Sequence, residues 1–295
     1  MNESFPKLIE KSRSELPIEQ QANFEGNWTN LMIERLRNPE IRKQIVDLIL
    51  EAERLSDGKL TLDEYGDDEG NVSRRPFVAR GRDTIEKEFD KAINTVSSVT
   101  PLTTDFKIGT GPSVYSDKET PGNVPALGHE VIPPLFKYGG EWREKTLMIT
   151  ESHEKGHRVR MYNPPIADES NEDFAFALGK KFWKAFDFEK IEFTDQDFKR
   201  LREREHIGDN VSDEEIKNNV IRYLKFPTEI SERMSQLKNY FGMAGQDIFT
   251  KEHLRYAKKN YVKDTDFDNQ MTEFFQAITP ETEDSFIELI NSAGI

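Results

Sequence analysis

The chain contains no cysteine. That one absence excludes disulfides, thiolate metal sites and cysteine nucleophiles together. A disulfide-free chain suits a reducing compartment. Positive charge is also scarce: 41 Lys and Arg stand against 55 Asp and Glu, giving a formal net charge of −14. So acidic a chain is repelled by phosphate backbones and anionic lipid. Nucleic acid is therefore not expected as a partner, and a local basic run such as "KKFWK" does not reverse the balance. No stretch approaches 18 apolar residues in a row, so no membrane span is expected. The opening "MNESFPKLIEKSRSELPIEQQ" lacks the apolar centre of a secretory signal. The expected location is cytoplasmic, or virion-associated for a phage-encoded chain.

What is present is enough for one large domain or two small ones: 295 residues, of which 35% are hydrophobic. Residues 30–56 read as helices broken near Pro39, with Ile41, Ile45, Leu48 and Ile49 at helical spacing. Residues 57–82 are polar and glycine-bearing, and read as a loop; residues 82–98 read as an amphipathic helix. From Thr100 to Gly140 the chain loses its helical period and gains Pro, Gly, Thr and Val. Short strands are expected there, at 104–109 and 129–137. Beyond Glu141 the pattern is helical. Ser212 with Glu215 makes a capping box, Thr250 caps the next long segment, and Gly242 stops the helix before it. The expected fold is α+β, predominantly helical, with a helical N-terminal region over 1–99 and a second domain over 100–295.

Histidine is rare, with five in the chain, and two of them fall in "MITESHEKGHRVRMY", residues 148–162. On a helix, residues four apart share a face. His153 and His157 then point the same way and can bind one ion. Glu154 lies about 100° round the axis, within reach of a water on that ion without being a ligand. Gly156 costs the helix about 1 kcal/mol and lets another backbone or a substrate come close.

"HEKGH" resembles the HExxH signature of the zincin metallopeptidases. The resemblance implies zinc as cofactor, His153 and His157 as ligands, Glu154 as general base, and a peptide or protein substrate. It also implies a zincin-like fold, with a small irregular sheet before the motif helix whose edge strand lines the cleft. The continuation "RVRMYNPP" lacks the Gly-x-x-His of the metzincin branch. The similarity is therefore to the gluzincin-like branch, whose third ligand is a Glu on a later helix.

Two carboxylates offer themselves. "YLKFPTEISERMSQLKNYF" resembles the Pro-x-Glu-x-x-(Ala)-Arg helix opening of some phage and bacterial HExxH proteins, with Glu229 as ligand and Glu232 where a small residue is usual. Pro227 would start this helix and Ile230, Met234, Leu237 and Phe241 form its apolar stripe. "ESNEDFAFALGKKF" resembles the Glu-x-Phe-Ala helix of another HExxH group, with Glu172 as ligand 15 residues past His157. Glu229 is preferred and Glu172 stays as the alternative. Tyr223, Tyr240, His206 and Arg233 are the candidates for a second oxyanion donor beside the metal.

Other motifs fail on chemistry. "LSDGKLTLDEY" has the back half of an EF-hand loop, but Leu55 stands where a ligand is needed. "GTGPS" lacks the lysine of a phosphate loop. The expected function is zinc-dependent peptide hydrolysis. The rival expectation is a structural or interaction protein, of a phage particle for example, that does not hydrolyse and meets a partner through its N- or C-terminal helices.

Overall fold

Several helices in this chain begin where a polar side chain covers the first free amides or where proline removes one of them. Asn27 accepts a hydrogen bond from the Asn30 amide at 2.9 Å and opens α2 (Trp28–Leu36), which follows the short α1 (Ile18–Gln21). Asn38 does the same for Glu40 at 2.9 Å, and Pro39 takes the first position of α3 (Pro39–Ser56). The break expected near Pro39 is therefore seen.

The structure is a computed structural model and describes residues 13–22, 24, 26–56, 61–63, 74–76, 81–98, 113–114, 131–132, 141–160, 179, 182–205, 207–208, 210–245, 247–268 and 270–295. The remaining helices are α4 (Arg82–Ser98), α5 (Glu141–Arg160), α6 (Asp195–Glu205), α7 (Asp213–Leu224), α8 (Pro227–Tyr240), α9 (Lys251–Thr265), α10 (Met271–Gln276) and α11 (Glu283–Ser292). Ser212 accepts from the Glu215 amide at 3.2 Å to cap α7. Thr250 caps α9 in a reciprocal box with His253. Gly242 follows α8 with φ of 63°, the left-handed stop that its position after the apolar stripe predicts.

The expected α+β, zincin-like fold does not form. Strands are limited to two separate antiparallel ladders among the described residues. β1 (Thr61–Asp63) pairs with β2 (Arg74–Pro76), inside the segment expected to be a loop. β3 (Ser113–Val114) pairs with β4 (Val131–Ile132). Strands of two or three residues give no face on which a helix can be laid, so the architecture is helical. Of the strand expected at 129–137, Val131–Ile132 is described and lies in β4; the rest of it, and the strand expected at 104–109, lie outside the described residues.

α5 sits at the centre. It packs on α2, α4 and α8, and α2 also packs on α8. Met32 and Leu36 of α2, Phe89 of α4, Ile149 of α5, and Ile230, Met234 and Leu237 of α8 meet in one buried core. Helices from before and after residue 100 thus share that core. A second aromatic group joins Phe186, Phe274 and Phe286, with ring centroids 5.3–6.1 Å apart in tilted or edge-on pairs. Met271, Phe274, Phe275, Phe286 and Ile290 of α10 and α11 are buried within this chain, and Ile287 and Leu289 are partly buried. Among the described residues no helix is long and apolar enough to cross a membrane.

Candidate metal centre

α8, and the described residues of the second half of α5, are largely buried while carrying many polar side chains. Ser152, His153, Lys155, Gly156, His157, Val159 and Arg160 of α5 are buried, as is every residue of α8 except Thr228. Polar groups in such positions need partners, and the helices largely supply them to each other. Arg35 of α2 reaches across, donating to Asn239 Oδ1 at 2.7 Å, Ser235 Oγ at 3.0 Å and the Met243 carbonyl at 2.8 Å. Asn239 in turn donates to Ser152 Oγ at 3.1 Å. This chain of bonds fixes α8 against both α2 and α5.

A second contact is an ion pair. Arg160 Nη1 lies 2.6 Å from each oxygen of Glu232. The Glu232 carboxylate fills the space above Gly156: a Cβ there would fall 1.7 Å from Glu232 Oε2. Gly156 is thus required by a close approach, and what approaches is a side chain of α8.

Held this way, α8 delivers Glu229 to the histidines. Pro227 occupies the first helical position and Glu229 the first turn, where the helix dipole favours a carboxylate. His153 and His157 point their Nε2 atoms at one another, 3.0 Å apart, with ring planes at 89°. Glu229 Oε1 lies 3.2 Å from His157 Nε2, and Oε2 lies 3.4 Å from His153 Nε2. Among the described residues this is the one cluster of three metal-ligating side chains. Burial works to raise the Glu229 carboxyl pKa, but the charges of His153 and His157 and their hydrogen bonds hold it well below the usual carboxylate range.

The spacing fits a small cation. Ligands held tetrahedrally at 2.0–2.1 Å from zinc lie about 3.3 Å apart; here one ligand atom from each residue lies within 4.8 Å of the others, with the two Nε2 atoms 3.0 Å apart and Glu229 Oε1 3.2 Å from His157 Nε2. Two imidazoles and a carboxylate suit zinc, and no soft thiolate exists in the chain to compete. His153 Nδ1 is buried and has no hydrogen-bond partner among the described residues.

The other sequence candidates fare differently. Glu154 lies in α5 beside His153, and its side chain is outside the described residues. Glu172 and His206 are also outside them. Tyr240 donates to Asp264 at 2.6 Å and is occupied. Tyr223 lies against Arg233, whose guanidinium carbon is 5.6 Å from the ring centre. Arg233 itself is 3.6 Å from Glu229 Oε2. The residues that sequence reasoning passed over are Arg35, Arg160, Ser235 and Asn239. The signal for them was a helix whose polar residues outnumber what one solvated face can hold. Compared with protein-family models, curated proteins and solved structures, the chain has no match.

Proposed function

We propose that this protein binds zinc through His153, His157 and Glu229 and hydrolyses peptide bonds, with Glu154 as general base. The convergence of ligand side chains from two helices, with Glu229 72 residues beyond His157 in sequence, carries the proposal. Zinc in such a site polarises a carbonyl and brings the pKa of a coordinated water toward about 7. The chain's own residues do the rest. His153, His157 and Glu229 would hold the ion. Glu154, next to His153, would take a proton from the attacking water as its oxygen adds to the carbonyl carbon, and would return it to the amide nitrogen as the C–N bond breaks, leaving a carboxylate and an amine. The proposal concerns the site's chemistry and not a zincin fold.

The depth of the site favours a second reading. The side chains of His153, His157 and Glu229 are 3%, 9% and 9% exposed. Such depth also suits a zinc held for structure, in a protein that acts by binding others. Metal content of the purified chain and cleavage of a quenched peptide library separate the two. The catalytic reading expects one zinc per chain, cleavage by the wild type, and loss of cleavage with zinc retained in Glu154→Gln. One zinc with no cleavage by the wild type favours the structural reading. No zinc in the wild type refutes both.

A further inference from the structure

Glu229 has two oxygens, and the structure gives them different neighbours. Oε1 faces His157 Nε2 at 3.2 Å. Oε2 lies 3.4 Å from His153 Nε2 and 3.6 Å from Nη2 of Arg233, one turn further along α8. Arg233 has no exposed surface. It is gripped from two other elements. The Tyr223 ring of α7 lies against its guanidinium, and Gln270 Oε1 accepts from the same Nη2 at 3.3 Å. Gln270 is itself buried and left-handed, with φ of 61°, just ahead of α10. An arginine held from α7 and from the start of α10 cannot follow the carboxylate as it turns. The carboxylate must instead settle against the arginine.

We infer that Arg233 is a positioning residue that decides how Glu229 meets the metal: its cation, 3.6 Å from Oε2, disfavours that oxygen as a ligand and leaves Oε1 as the single donor. This rests on the reading of His153, His157 and Glu229 as a metal site. A carboxylate free to turn can chelate through both oxygens and raise the coordination number from four to five. A cation fixed beside one oxygen draws charge from it and weakens it as a ligand. The tetrahedral set with one open position is the arrangement that hydrolysis uses. Glu229 is also the one ligand of the three able to change denticity, so control over it is control over the open position.

Cobalt(II), added to the full chain, reports the difference, because its visible bands are strong in four-coordinate sites and weaker in five-coordinate ones. The wild type is expected to give the strong spectrum. Arg233→Met is expected to weaken the bands and to lower cobalt affinity about 10–100-fold, the usual effect of losing a group that orients a ligand. Arg233→Lys keeps a cation beside Oε2 and should lose less. Gln270→Asn keeps a residue that tolerates the left-handed backbone but shortens the amide by one methylene, so it frees Arg233 without touching Glu229. It should shift the spectrum in the same direction by a smaller amount. Circular dichroism establishes folding, and if Arg233→Met does not fold, Gln270→Asn decides. Wild-type spectra and affinities in the folded variants overturn the role of Arg233 while leaving the metal site intact. A wild type that takes up no cobalt overturns the metal reading itself.

Discussion

Replacing Gly156 by alanine tests the packing of α5 on α8 by the sign of its effect. Gly156 lies well inside the helix Glu141–Arg160 and is not among the residues with positive φ. Helix propensity alone therefore makes Gly156→Ala stabilising by about 1 kcal/mol. The structure gives the opposite answer. The new Cβ would fall 1.7 Å from Glu232 Oε2, 2.4 Å from its Cδ and 2.8 Å from Arg160 Nη1. A surface carboxylate would swing aside at little cost. This one is 1% exposed, and both of its oxygens are bound by an arginine with no exposed surface. Either the helices separate or Glu232 leaves and Arg160 stays buried without its carboxylate. Breaking a buried pair by removing one partner costs about 3–5 kcal/mol. The net expectation is a loss of about 2–4 kcal/mol.

Urea unfolding of the metal-free protein, with chelator present, measures that loss. The triple variant Gly156→Ala, Arg160→Met, Glu232→Ala removes the clash and the uncompensated charge together. Replacing a buried ion pair by apolar groups is often neutral or better, so the triple variant should recover to within about 1 kcal/mol of wild type. A Gly156→Ala protein as stable as wild type, or more so, would show that the carboxylate does not lie over the glycine. The account of how Glu229 reaches the histidines would go with it.

Further outcomes follow from the same structure. Zinc at 1,000 times its dissociation constant should stabilise the wild type by about 4 kcal/mol, chelator should reverse this, and His153→Ala should abolish it; a zinc-dependent shift that survives His153→Ala would place the ion elsewhere. His253 accepts the Thr250 amide on Nδ1 at 3.0 Å and faces Gln21 Oε1 through Nε2 at 3.2 Å, and burial lowers its pKa to about 4. The unfolded chain then binds more protons between pH 6.5 and 4, so the ring's share of stability is whole above 6.5 and falls by about 1–3 kcal/mol as pH drops to 4. His253→Gln, a residue natural to that capping position, should lose this slope in urea titrations at pH 7 and 4.5. Lys238 donates to the Ile295 carbonyl at 2.9 Å, and burial, then the charges of Arg35 and Arg160, lower its pKa to about 7. Its unfolded form holds the proton up to about pH 10.5, so its contribution makes stability rise with pH above 7, by at most about 5 kcal/mol. Lys238→Met should flatten that rise between pH 7 and 9.5, and an unchanged profile would count against a buried ammonium.

Why the sequence yields some of this and not the rest follows from how α8 is made. Its stripe of Ile230, Met234 and Leu237 is legible, because apolar residues three and four apart mark a face that must be buried. By the same rule the opposite face, with Ser231, Glu232, Gln236 and Lys238, belongs in water, yet all four residues are buried. Periodicity describes one helix at a time. Whether a polar face is solvated or satisfied depends on a second helix that presents matching groups, here Arg35 from α2 and Arg160 from α5, far away in sequence. The metal cluster escapes this limit in part. His153 and His157 share a face through local geometry alone, and Pro227 fixes where Glu229 sits in its helix. Their meeting does not follow from local geometry, and the resemblance that suggested Glu229 carried with it a sheet that the described residues, helical apart from two short ladders, do not form. Gly156 held more information than either. A glycine inside a helix, between Lys155 and His157, is costly unless something must come close, and the side chain that comes close is Glu232 of α8.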